Sequence, residues 1–568
     1  MRNTLILLVL SLIAVLPACL PLFHSGFFTF HDNEQVARLY DLNKDIVNLN
    51  FPPRLTQDLG YGFDYPLFNF YPPLVYYIAE IFKLTGFSYI TSIKITIGLG
   101  FYLSFIFMYL FAKEHFGKIA AFLAALSYTY LPYHSVDVYV RGALPEFWSF
   151  VFIPLVFFSI LKFYQTQKTK YIALLAFSFA FLILSHDLMA MVSGVFIVGY
   201  AIYLLILSKN KKRFLVFTAL GLLLGFLISA YFWIPALLEK KYTMVYLLTT
   251  ELANYNLHFV CIKQFWNSPW GYSGSLPGCF DGLSFQVGKI QIIASFLAML
   301  FGIFLLFNKK LQKSFLLLTF FVLFIFSLFM QTKYSILIWQ HIPALWYLQF
   351  PWRFLILSGF TASFLVASLL SFKRREKLKI PLLLLIGILV FVLNISYFKP
   401  FKYINVNDGS YINGDMIKWN TSNLSFEYVP YGIKTKKSNI GNTIVAINKD
   451  QIAKSTAQAI SENLQVNSTL DTPVDKRVNV SSNMGGVLRL NTFTFPGWET
   501  FLDGKNISYS SNNALKLITV SVPPGNHTLE AKFFETQIRK TSDIVSVLAV
   551  LISLILLWPL TLKNKHEE

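Results

Sequence analysis

Apolar residues run along this chain in windows of roughly 20, the length at which a helix crosses a bilayer. Such windows lie near 3–22, 91–112, 118–134, 146–163, 171–186, 189–207, 213–237, 288–308, 314–330, 353–372, 379–397 and 543–562. The pattern predicts about twelve transmembrane helices. The stretch Pro72 to Gly86 is also apolar, but it is too short to span, carries Glu80 and Lys83 and opens on Pro72-Pro73. It reads as an interfacial helix, because Pro suits a helix start and a short amphipathic run lies on a membrane surface rather than crossing it.

Residues 398–541 change character: Asn, Ser and Thr are frequent, and Leu529, Ala531 and Phe533 alternate after a Pro523-Pro524-Gly525-Asn526 turn. With Asp503-Gly504 as a hairpin signal, this reads as a β-sandwich-like domain. The expected organisation is a transmembrane module over 1–397 with an outer loop at 23–90, a β-rich domain over 398–541, and a last helix and tail over 542–568. Sequons such as those at Asn467 and Asn526 arise by chance in Asn-rich sequence and carry little.

Composition supports the membrane reading: 55% of residues are hydrophobic, 14% are charged and the mean hydropathy is +0.54. A soluble globular protein is excluded. The formal charge of +19 comes in short runs between apolar windows, not on one polar domain, so it points to membrane orientation and away from nucleic acid. The runs are Lys113 and Lys118; Lys162, Lys168 and Lys170; Lys209, Lys211, Lys212 and Arg213; Lys309, Lys310 and Lys313; Lys373, Arg374, Arg375, Lys377 and Lys379; and Lys563 and Lys565. Placing all of them inside gives one alternation with both termini cytoplasmic, an imperfect fit in which Lys240 and Lys241 fall on the outer side. The expected location is the plasma membrane, with an uncleaved first helix and the β domain outside.

The polar chemistry then gathers on the outer side. The first outer loop reads Phe30-His31-Asp32-Asn33-Glu34-Gln35 ahead of Val36, Leu39 and Tyr40 at helical spacing. One reading makes Asp32 an N-cap with Gln35 completing a capping box. The other makes Asp32 a general base at the mouth of an apolar bundle, where ionisable residues are functional candidates by default. Glu34 is its partner, and Asp32-X-Glu34 also offers hard oxygen ligands to a divalent cation such as Mg or Mn, though no cofactor is required. Arg353 stands at the outer end of a span, as a phosphate-binding fork or as a snorkelling anchor beside Trp352. Arg141 and Glu146 either bind substrate or pair with each other, and Asp137 is an alternative second acid. His186 sits in a tight turn with Asp187, where a lone His is more often a structural hydrogen-bonder. Arg54 and Asp58 read as structural. Cys261 and Cys279 share one outer loop and are bridged or free; three cysteines make no disulfide framework. No Walker A, HExxH or cysteine-rich metal spacing occurs, which removes ATP-driven transport and zinc hydrolysis.

Taken in order, Asp32-Asn-Glu34, Pro52-Pro53-Arg54, Gly60-Tyr-Gly-X-X-Tyr-Pro-Leu-Phe-Asn-Phe-Tyr-Pro-Pro-Leu and Tyr139-Val-Arg141-Gly-Ala-Leu-Pro-Glu146 resemble a known group. It is the bacterial multi-span family labelled 6-pyruvoyl-tetrahydropterin synthase-related. Ser284-Phe-Gln-Val-Gly, Gln349-Phe-Pro-Trp-Arg353-Phe and Phe495-Pro-Gly-Trp-Glu499 extend the resemblance over nearly the whole chain. No pterin-synthase zinc signature accompanies the label. The family in turn resembles the C-type (GT-C) glycosyltransferase superfamily, in which an acidic pair in the first outer loop precedes a Pro-Pro-Leu juxtamembrane helix. Here Asp32 with Glu34, and Pro72-Pro73-Leu74, stand at those places.

The resemblance implies a polytopic GT-C-like fold that takes a sugar from a polyprenyl-phosphate donor and gives it to an extracytoplasmic acceptor, a cell-envelope glycan, lipid or protein. Asp32 would be the base, and Arg353, Arg141, Glu146 and His186 would face the lipid phosphate. Two other classes remain: a lipid or polysaccharide transporter, and a non-catalytic envelope scaffold whose β domain binds polymer. Transporters tend to carry internal repeats and mid-membrane polar groups, whereas here the polar residues gather at outer ends.

Overall fold

A computed structural model describes residues 2–370, 376–438 and 443–558. Within them every apolar window is helical, but not every window is a full span. Among the described residues nine helices are long and apolar enough to cross a membrane: Leu5–Phe23, Tyr89–Phe116, Leu144–Thr166, Asp187–Leu207, Lys289–Phe307, Leu311–Gln331, Pro351–Ser368, Lys379–Tyr397 and Gln537–Leu557. Three of the twelve expected spans differ. The window at 213–237 is a pair, Lys211–Ile228 and Ala230–Tyr242, bent by 64° at Ser229. Lys118–Thr129 and Lys170–Ser185 are shorter helices. The first of these stops because Tyr130-Leu131 leads into a new turn with Pro132 at its first position, and a proline ring cannot continue the preceding helix. The basic residues Lys373, Arg374, Arg375, Lys563 and Lys565, and the tail beyond residue 558, lie outside the described residues.

The 72–86 stretch forms the 11-residue helix Leu74–Leu84, with Val75, Tyr76 and Ala79 buried and Ile81 and Leu84 exposed. At 1.5 Å per residue it reaches about 16 Å, half of a hydrocarbon core. It packs on the helices Gln35–Val47 and Tyr89–Phe116.

Among the described residues of the polar region the two larger sheets are antiparallel, beside the small pair Thr435–Lys437 and Thr443–Val445. One runs Lys505–Ile507, Trp498–Leu502, Gly525–Phe533, Asp475–Ser482, Gln465–Asp471, and the other Leu517–Val522, Gly486–Phe493, Ala457–Ala459. Period-2 alternation buries Val478, Val480 and Leu529 from the first sheet and Leu488, Leu490 and Val520 from the second. Asp503 and Gly504 both have positive φ and join Leu502 to Lys505, the turn that matches strand twist. The last helix begins at Gln537, earlier than the apolar window, because its first turns are polar and anchored: Thr536 caps Arg539 N–H, and buried Arg539 donates to Glu239 (3.0 Å) and to the Pro496 carbonyl (2.8 Å).

The sandwich is fastened to the first outer loop by a buried polar joint. Lys476 Nζ lies 2.9 Å from Asp64 Oδ1, Thr492 Oγ1 donates to Asp64 Oδ2 (2.7 Å) and Phe493 N–H donates to the Phe63 carbonyl (2.7 Å). Burial raises the Asp64 carboxyl to about 6, against the pull of Lys476. Arg54 is a second fastener, reaching the Tyr231 carbonyl (2.7 Å) and Asp543 on the last helix (2.9 Å). Removing one partner of a buried pair strands the other charge, so Lys476→Ala is expected to cost about 3–5 kcal/mol. Thermal unfolding in detergent checks this: a large fall for Lys476→Ala, partly recovered by adding Asp64→Asn, is the expected pattern, and no fall would contradict it.

Candidate active site at the loop ends of the helices

The loop 23–90 packs on itself and is also zipped to the segment that follows the Lys118–Thr129 helix. After Phe27–Phe28 pairs with Tyr403–Ile404, His31 N–H donates to the Val140 carbonyl (3.0 Å) and Asp32 N–H to the Arg141 carbonyl (2.8 Å). Gln35 Nε2 adds a bond to the Gly142 carbonyl (2.8 Å). Gly142 has φ +68°, and a Cβ there would fall 2.3 Å from the Phe30 ring, so the close approach needs glycine. The capping-box reading of Asp32 and Gln35 is therefore corrected. The helix is Gln35–Val47 with Glu34 before it and no side-chain cap, and the Gln35 amide also accepts from Tyr76 Oη (2.6 Å).

The second loop is a π-helical turn, Val136–Arg141, an uncommon geometry that often re-aims side chains at functional sites. It points Arg141 into a buried charge cluster. Arg141 Nη1 donates to Glu146 Oε2 (2.7 Å) and Tyr133 Oη (3.0 Å) and also pairs with Asp137. Tyr133 Oη donates to Glu146 Oε1 (2.6 Å), and Arg353 Nε lies 3.0 Å from Glu146 Oε2. Glu146 is 1% exposed, Arg141 6% and Arg353 9%. Burial and then the Glu146 charge push the Asp137 carboxyl well above the usual range, against Arg141 and Arg353. The guanidinium of Arg141 also lies over Trp352, 4.7 Å from the ring centroid, which holds its plane.

Neither arginine is fully spent. Arg353 Nη1 donates to the Leu348 carbonyl (2.9 Å), but among the described residues no hydrogen bond engages Nη2 of Arg353 or of Arg141. The Asp32 carboxylate is half-buried and likewise has no hydrogen-bond donor among them.

Glu34 turns to a second group. It is 6% exposed, with Oε2 unbonded, and burial lifts its carboxyl to about 7; Arg38 opposes this, while Asp32 and Glu427 add to it. Arg38 sits 4.1 Å from the Tyr71 ring centroid and donates to Ser425 Oγ (3.3 Å). Glu427 is the member that sequence reading passed over, because it lies in the Asn/Ser-rich stretch; its flanking Phe426 and Tyr428 were the available signal. Burial raises its carboxyl as well.

His186 caps the helix Asp187–Leu207, its Nδ1 accepting from Met189 N–H (3.2 Å). Burial first, then Arg353, lowers its imidazole to about 3, so it is neutral. A neutral cap cannot serve as a phosphate cation. Asp58 pairs with Lys44 and Lys418, away from this group. Among the described residues no three His, Cys, Asp or Glu side chains come together in a ligating group, so Asp32 and Glu34 would need water or substrate oxygens to complete a cation's shell.

Cys261 and Cys279 are bridged, with Cα atoms 5.8 Å apart, and their loop leans over the site, the Tyr272 carbonyl lying 3.0 Å from His31 Nε2. A separate apolar cleft of about 1230 Å³ runs between the first span and Tyr89–Phe116, lined by Leu12, Leu16 and Tyr102 and topped by His24, Lys94 and Asp408.

A family model described as 6-pyruvoyl-tetrahydropterin synthase related domain, a membrane protein, matches residues 68–400, which hold Arg141, Glu146, His186 and Arg353 but not Asp32 or Glu34. An uncharacterised protein of Lactococcus lactis subsp. cremoris is 25% identical over 247 residues, 42% of this chain and 39% of that one. In structure the chain is similar to an oligosaccharyltransferase of Archaeoglobus fulgidus tethered to an acceptor peptide (11% identity, TM-score 0.44, 76% of this chain and 61% of that chain). It is similar also to the archaeal oligosaccharyltransferase AglB of that organism with an inhibitory peptide and a dolichol-phosphate (12% identity, TM-score 0.44, the same coverage). The chain thus spans about three-fifths of the length of these structures and less of the curated relative.

The raised Glu34 carboxyl gives a signed expectation. The folded state holds an extra proton between the ordinary value of 4.5 and about 7, so stability falls as pH rises through that window. Glu34→Gln cannot ionise, so its melting temperature relative to the parent protein should rise between about pH 5 and about pH 8. An equal difference at both pH values would contradict the assignment.

Proposed function

We propose that this chain, which belongs to the 6-pyruvoyl-tetrahydropterin synthase-related family of membrane proteins, is a GT-C-like glycosyltransferase. It moves a sugar from a polyprenyl-phosphate donor to an envelope glycan, lipid or protein on the extracytoplasmic side of the plasma membrane, with both termini cytoplasmic. The observation that carries the reading is the convergence of an unengaged carboxylate, Asp32, with two arginines that each keep a free donor, Arg141 and Arg353, through one backbone bond and one shared acid.

In this reading Asp32 takes the proton of the acceptor hydroxyl as its oxygen attacks the anomeric carbon. The bond from that carbon to the phosphate oxygen breaks, and the electron pair leaves with the lipid phosphate. Arg141 and Arg353 hold the departing charge through their open Nη2 donors, where a planar guanidinium outperforms an ammonium. Glu146 touches no substrate; it holds the two guanidinium groups side by side, since an anion would repel a phosphate. His186 is neutral and keeps the turn in place. No step needs a metal ion.

Asp32→Asn, made in cells whose surface glycan depends on this protein, is expected to lower transfer about 100- to 10,000-fold at normal protein level. Full retention of the glycan would contradict the role of Asp32. Loss of glycan in cells, with purified parent protein inert toward a polyprenyl-phosphate sugar, would favour a transporter. Arg353→Lys removes the planar fork and should weaken donor binding by about 1.5–3 kcal/mol, on the order of ten- to a hundredfold in KM for the lipid donor. An unchanged KM would remove Arg353 from the phosphate site.

A further inference from the structure

The outward face of the five-stranded sheet carries a patch that neither folding nor the transfer reading explains. Register places Gln465, Ser481 and Asn526 in one row across three adjacent strands, and Asn467, Asn479 and Thr528 in the next. With Val466, Val480 and His527 they line a dish of about 470 Å³, in which the Thr528 hydroxyl donates to Asn479 Oδ1 (3.1 Å). Polar residues on an outer sheet face are ordinary, but asparagine is not: it is depleted in strands, and here one stands in each of three neighbouring strands. Asn479 sits in Asp475–Ser482, paired on both sides, where a β-branched residue would favour the strand.

The chemistry of the dish is narrow. All six side chains are uncharged, and each is an amide or a hydroxyl that both donates and accepts. The charge starts one row further along the same face, where Arg477 pairs with Glu530. At the other end the turn is pinned by His527 and Asp503, their Nδ1 and Oδ2 2.6 Å apart, and by Thr528 N–H donating to Asp503 Oδ1 (2.8 Å). Strands about 4.8 Å apart, with same-face residues about 7 Å apart along each, make a donor–acceptor lattice with a repeat comparable to a pyranose ring. An anionic polymer finds no lysine or arginine in the two rows and His527 beside them is paired with Asp503, while a lipid finds only Val466 and Val480, of which Val480 is buried. A peptide adding as a strand would use a sheet edge, not its face.

We propose that this dish binds a neutral, hydroxyl-rich oligosaccharide by hydrogen bonds to the two rows. The inference does not rest on the transfer reading, since a chain that moves no sugar can still hold one. With no aromatic side chain in the two rows to stack on a ring, binding is weak and suited to recognising a repeating polymer.

The test uses the full chain in lipid nanodiscs, free of maltoside detergent, and saturation-transfer NMR with four soluble probes: cellotetraose, chitotetraose, maltotetraose and isomaltotetraose. The expected result is transfer to at least one probe, cut fivefold or more in Asn467→Ala/Asn479→Ala. Both positions are exposed, so the variant keeps its fold, which an unchanged melting temperature verifies. Arg477→Ala, one row away, and Asp32→Asn should leave the signal unchanged, the latter separating this site from the transfer site. No transfer to any probe, or a signal indifferent to the double variant, overturns the proposal.

Discussion

Two arginines can be buried side by side at the ends of apolar helices only if an acid lies between them, and Glu146 is that acid. Its Oε2 meets Arg141 at 2.7 Å and Arg353 at 3.0 Å, while its Oε1 takes the Tyr133 hydroxyl. The three charged side chains come from the Val136–Arg141 turn, the start of the Leu144–Thr166 span and the start of the Pro351–Ser368 span. Without Glu146, mutual repulsion and desolvation would drive the guanidinium groups apart or out to water. With it, both forks are held at one place with donors to spare. The rest of the site is fitted around this knot: the π-helical turn aims Arg141, the Trp352 ring holds its plane, and Gly142 lets Phe30 approach so that Asp32 is laid against the Arg141 backbone.

Much of this architecture is legible in the sequence because the bilayer demands it. Roughly 20 apolar residues in a row have few other uses, so each of the twelve windows is helical over its described residues. Their lengths are less legible. A proline two residues past Tyr130 and a 64° bend at Ser229 shorten or break windows that composition alone runs together. The sandwich is likewise visible in period-2 alternation and in Asp503-Gly504, whereas its docking is not. Lys476 with Asp64, and Arg539 with Glu239, are separated by hundreds of residues, and nothing local to either marks its partner.

The site divides in the same way. Asp32, Arg141, Glu146 and Arg353 stand out as charges beside apolar spans, and their meeting explains why each is there. The N-cap reading of Asp32 was reasonable by spacing and fails because its backbone is already committed to another loop. Glu427 is hidden by a polar neighbourhood, where one more acid draws no notice until the fold sets it beside Arg38 and Glu34. Burial of Glu34, opposed by Arg38 and reinforced by Asp32 and Glu427, sets a carboxyl near 7 beside the proposed base. That places proton exchange at the mouth of the bundle within reach of ordinary pH.

The central claim is that the first loop's carboxylate and the two arginines serve one lipid phosphate. The measurement closest to it is an experimental structure of the protein with a polyprenyl monophosphate bound. The account predicts the phosphate within hydrogen-bond distance of Arg141 and Arg353, with the Asp32 carboxylate facing the same cavity. A phosphate seated in the cleft beside Lys94, or an Asp32 carboxylate turned away from the bound phosphate, would contradict it.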